Sequence, residues 1–117
     1  MNFRMMFRPL LGGLAVALVT ACGSYKRDME DACHAVERSK ARELPIAEEE
    51  ILTRAASWAA ERARTSDGQM FWAAIVNINP QDKAKVLRDA AKEAGVVDCP
   101  LADALEATLR ADELKRQ

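Results

Sequence analysis

Imidazole is nearly absent from this chain, with one histidine, His34, in 117 residues. Histidine-based acid–base chemistry would rest on that single side chain, and a multi-histidine metal set cannot be built from it. The three cysteines, at 22, 33 and 99, show no Cys-x-x-Cys spacing, and Cys-x-x-Cys-His, the haem attachment signal, is missing too. There is no Gly-rich phosphate loop, no Gly-x-Ser-x-Gly and no His-Glu-x-x-His. Large apolar side chains are few: of three phenylalanines only Phe71 lies beyond residue 21. Charge of one sign is lacking as well. Lys and Arg number 17 against 18 Asp and Glu, well mixed along the chain, so no basic patch would draw it to DNA or RNA. The composition implies no cofactor, no metal and no nucleic acid.

What the chain does have begins at its start. Arg4 and Arg8 precede an apolar run from Leu10 to Val19, followed by Val19-Thr20-Ala21-Cys22. This is the layout of an export signal: basic start, hydrophobic middle, small residues before a cut. A transmembrane anchor would need about 20 apolar residues. Here the uncharged stretch runs only from Pro9 to Tyr25, holds Gly12-Gly13, and ends polar. A buried cytosolic helix would not want two arginines ahead of it and a Gly-Gly pair inside. An ordinary secretory cleavage also fits Val19 and Ala21; Cys22 distinguishes the alternative.

Val19, Thr20, Ala21 and Cys22 resemble the four-residue lipobox of bacterial lipoproteins. The resemblance implies a signal peptide over 1–21, removed by cutting between Ala21 and Cys22. It also implies a diacylglyceryl group on the Cys22 sulfur, usually with an acyl chain on the new amine. Several chains at about 0.8 kcal/mol per buried methylene hold a protein at a bilayer, where one would be marginal. In two-membrane bacteria an Asp after the lipid-bearing Cys commonly retains the protein at the inner membrane. Gly23 stands there instead, so the expected location is the periplasmic face of the outer membrane.

Processing would remove two arginines and no acid, leaving 96 residues with 15 basic and 18 acidic side chains, a formal charge of −3. That is one small domain. With Cys22 lipidated, Cys33 and Cys99 remain as an even pair in an oxidising compartment. A bond between them would close a loop of 65 residues, worth about 4 kcal/mol in the chain-entropy model. Two buried free thiols are the alternative. Alanine pairs (Ala55-Ala56, Ala59-Ala60, Ala73-Ala74, Ala90-Ala91) dominate the rest. They favour helix and close helix approach but bury little area, so a cross-link matters most here.

The periodicity predicts an all-α, alanine-rich bundle of four to five short helices over 29–117, after a short tether over 22–28. The tether would reach roughly 17 Å over Ser24 to Asp28, with Lys26 and Arg27 near lipid head groups. A first helix is expected over 28–42, with Met29, Ala32, Cys33, Val36 and Lys40 inward and His34 at the rim. Leu44-Pro45 interrupts. A second helix is expected over 46–64 with Ile51, Leu52, Ala55, Trp58, Ala59, Arg62 and Ala63 inward, and Glu48, Glu49 and Glu50 at its dipole-positive end. Thr65 to Gly68 reads as a turn. Gln69 to Ile78 reads as a short buried helix, with a strand left open, whose aromatics the small core should claim before any partner groove. Asn79-Pro80 restarts a helix to Ala94, Gly95 ends it, Val96 to Cys99 is extended, and Pro100 opens a last helix fraying after Asp112.

Carboxylate pairs are the remaining catalytic candidates, since two suffice for glycoside hydrolysis. Asp28 with Asp31 and Glu48 with Glu50 are exposed by pattern, and an alanine-packed bundle should offer little concave surface. The expected function is therefore a membrane-anchored lipoprotein, a non-enzymatic protein-binding or scaffolding element of the cell envelope with an unidentified envelope protein as partner. An inhibitor or immunity-type protein at the membrane is the alternative, and a small envelope hydrolase comes third.

Overall fold

Ser24 is the first residue that the computed structural model describes, and the description runs from there to Gln117. Residues 1–23, including the signal region and Cys22, lie outside it. Ser24 is extended, and its hydroxyl accepts from the Arg27 N–H at 3.2 Å, the N-cap of helix α1 (Tyr25–Cys33). Residues 25–28, expected as tether, are thus the first turn of the fold. The predicted first helix is also split. At His34 the backbone leaves helical geometry (φ −103°, ψ 21°), α2 (Ala35–Ser39) follows, and Lys40 turns left-handed at φ 58° into a 3-10 turn over Ala41–Glu43. Lys40, expected inward, is therefore exposed.

Helix α3 (Glu48–Arg62) buries Ile51, Leu52, Ala55 and Ala59 as its period predicts. Arg62 does not face inward. Its guanidinium lies 4.3 Å over the half-buried Trp58 ring, covering the indole and keeping its charge in water. Thr65 caps α4 (Ser66–Ile75), so the predicted turn at 65–68 is a helix start, and the segment left open between helix and strand is helical. Helix α5 (Pro80–Glu93) opens on proline as expected. Gly95, at φ 89°, closes it, with the Val96 N–H donating to the Ala91 carbonyl at 2.8 Å. Helix α6 (Pro100–Arg116) continues past Asp112 rather than fraying there.

The described residues thus form an all-helical bundle of six α-helices and one 3-10 turn. Nine of the 19 buried hydrophobic residues are alanines, so the core is thin and the helices come close together. Met29, Leu87, Leu101 and Cys33 are its largest fully buried side chains. Cys33 and Cys99 are disulfide-bonded, Cα to Cα 4.3 Å, joining the end of α1 to the start of α6. No helix among the described residues is long and apolar enough to cross a membrane.

Candidate functional site

The tight packing that alanine permits on one side of α3 leaves a trough on another. Beside its buried stripe, α3 carries the short side chains of Thr53, Ala56, Ser57 and Ala60, which line the trough. Between α3 and α6 runs an open groove of about 550 Å³, floored by Leu52, Ile75, Leu87 and Leu101 and flanked by Trp72, Leu105 and Leu109. The expectation of little concave surface is overturned. The expectation that the core claims the aromatics between Met70 and Val76 holds in part, since Phe71 and Trp72 pack against the core cluster. Of that stretch only Ile75 is buried; Phe71 and Trp72 are half-buried, while Met70 and Val76 are 67% and 68% exposed. Helix α4 turns Gly68, Phe71, Trp72 and Ile75 toward the core and leaves Met70 and Val76 on its outer side.

Two clamps outside the lining tie helices that border this groove to their neighbours. Arg88 of α5 reaches two acids of α6, Asp103 at 2.7 Å and Glu106 at 2.5 Å. The hydrogen bond from Arg88 holds the Glu106 carboxyl below its ordinary value of 4.5, helped by the charges of Arg88 and then Arg110. Asp28 makes the second clamp. It is 4% exposed and accepts from the Arg64 N–H at 3.1 Å, the Thr65 N–H at 2.9 Å and the Thr65 hydroxyl at 2.6 Å. That fixes the α3–α4 corner to α1, and Gly68 is where it is because Asp28 fills the space a Cβ would take. The surface reading of Asp28 was therefore wrong.

Three charged residues line the groove: Glu49 of α3, Lys83 of α5 and Asp112 of α6. None of them makes an ion pair among the described residues, whereas their neighbours do. Glu48 is bound by Arg42 at 2.7 Å, which lowers its pKa, and Glu50 by Arg54 at 3.4 Å. Asp31 pairs with Arg38 at 2.6 Å, so the Asp28–Asp31 and Glu48–Glu50 pairs do not converge on a common site. His34 is half-buried at the α1–α2 break. No group of His, Cys, Asp and Glu among the described residues could hold a metal ion.

Family models, curated proteins and solved structures give no match to this chain. The groove is thus characterised by its own geometry. A second hollow, beside Asn77 and Asp82, is smaller, and its Lys85 and Asp89 already pair at 2.7 Å.

The sequence reading missed the groove although part of its signal was visible. Positions 53, 56, 57 and 60 form a small-residue stripe at helical spacing beside the large-residue one, and a stripe of that kind marks either a close helix contact or a trough. Nothing local shows which, because the answer depends on where helices distant in sequence come to lie.

Proposed function

We propose that this chain is a lipid-anchored, non-enzymatic protein-binding or scaffolding element on the periplasmic face of a bacterial membrane. Acylated Cys22 would hold it there, with Gly23 favouring the outer membrane over the inner. The Val19-Thr20-Ala21-Cys22 motif supports the anchor, and the Cys33–Cys99 bond fits an oxidising compartment. The observation that carries the binding role is the open apolar groove with its three unpaired charges. An exposed apolar trough rimmed by polar groups is a surface that association with a protein would cover.

Two measurements on cells making the full chain test the reading. Mass spectrometry should find loss of residues 1–21 and added acyl mass on Cys22, abolished by Cys22→Ser. A photoreactive residue placed at Thr53 should cross-link an envelope protein, and one at Lys85, outside the groove, should not. An unprocessed, unacylated chain removes the anchor, and equal capture from both positions removes the groove.

A further inference from the structure

The groove also constrains the shape of what fills it. Its two long walls are helical ladders: Glu49 to Ala60 on α3 and Leu101 to Asp112 on α6. Each is eleven residue steps long, roughly 16 Å or three turns. Hydrogen bonding narrows the choice further. The Thr53 hydroxyl donates to the Glu49 carbonyl at 2.9 Å and the Thr108 hydroxyl to the Ala104 carbonyl at 3.0 Å, both within their own helices. Ser57 and the three charged side chains are the polar groups left in the lining, too few to pair the continuous backbone of an extended peptide, whose unpaired groups would be costly to bury. A helix satisfies its own backbone and asks only for an apolar seat. A bare acyl chain would also need no hydrogen bonds, but it would leave Glu49, Asp112 and Lys83 without counter-charges.

We infer that the occupant is an amphipathic helix of a partner protein, about three turns long. Its apolar stripe lies along Trp72, Leu105 and Leu109, over the buried Leu52 and Leu101, and close to Ala56 and Ala60, where small side chains let helix axes approach. Cationic side chains flank that stripe opposite Glu49 and Asp112, and an acidic one faces Lys83. This inference rests on the protein-binding reading above and specifies its partner.

The test uses the full chain as processed by the cell, reconstituted in neutral phosphatidylcholine nanodiscs, with the photoreactive residue at Thr53. Two synthetic 15-residue amphipathic helices share one leucine stripe; one is flanked by lysines, the other by glutamates. The lysine peptide should cross-link at a concentration at least tenfold lower than the glutamate peptide. Combined Glu49→Lys and Asp112→Lys should reverse that order, with the helical circular-dichroism signal retained. Equal labelling by both peptides, an order unmoved by the charge reversal, displacement by palmitate alone, or a cross-linked second copy of the chain in place of peptide each overturns the inference. If neither peptide labels while Thr53 still captures an envelope protein in cells, the helix falls and the protein-binding reading stands. If both fail, both fall.

Discussion

Asp28 shows how much one side chain can contribute in a core this thin. Its carboxylate satisfies two backbone N–H groups and one hydroxyl at the α3–α4 corner, all from residues 36 or 37 positions away. Asp28→Ala would leave those part-buried donors without their acceptor and should cost about 2 kcal/mol, read from urea denaturation. Gly68 gives a test whose sign is informative. Gly to Ala inside a helix ordinarily stabilises by about 1 kcal/mol. Here the new methyl would come within 2.9 Å of Asp28 Cγ, so Gly68→Ala should destabilise by about 1–3 kcal/mol instead. Stabilisation by Gly68→Ala would show that Asp28 is not held at that place. Neither residue's role was legible in the sequence, because Asp28 sits among charges in a pattern that reads as surface, and its partners come from a distant corner.

At the scale of elements, punctuation was legible where it is local. Pro80, Gly95 and Pro100 mark their helix ends within a residue or two, since each acts through its own backbone geometry. The break at His34 carries no such mark, and α1 and α2 consequently read as one helix. The link between α1 and α6 was inferred from cysteine parity and is present. Cys33→Ser or Cys99→Ser should lower stability by up to about 4 kcal/mol under oxidising conditions and by little in reductant. Thermal melts of both forms in both conditions check this; identical melts would remove the bond from the stability argument. The α5–α6 clamp predicts a pH dependence. Because Arg88 lowers the Glu106 pKa below 4.5, the folded state binds protons less readily there than the unfolded chain. Its contribution is complete above that pH and is lost as pH falls through the lowered value. Arg88→Ala should therefore flatten the fall in melting temperature between pH 5 and about pH 3, and salt should shrink the difference since the pair faces solvent.

For the molecule as a whole, fold class, alanine-rich core and cross-link were legible because each follows from composition or period. The groove was not, since it is lined by side chains of α3, α4, α5 and α6 that come together only in the folded bundle. The cross-link has one more consequence, a mechanical one. Tension applied between the two ends of the described chain enters at Ser24, crosses from Cys33 to Cys99, and leaves through α6. Residues 34 to 98 are short-circuited and carry no load. Stretching in optical tweezers should release only residues 24–33 and 99–117, roughly 100 Å of contour, against roughly 340 Å after reduction. Because α1 and α6 are on the loaded path and α3 is off it, a pull on this protein would strain the groove between one loaded wall and one unloaded wall.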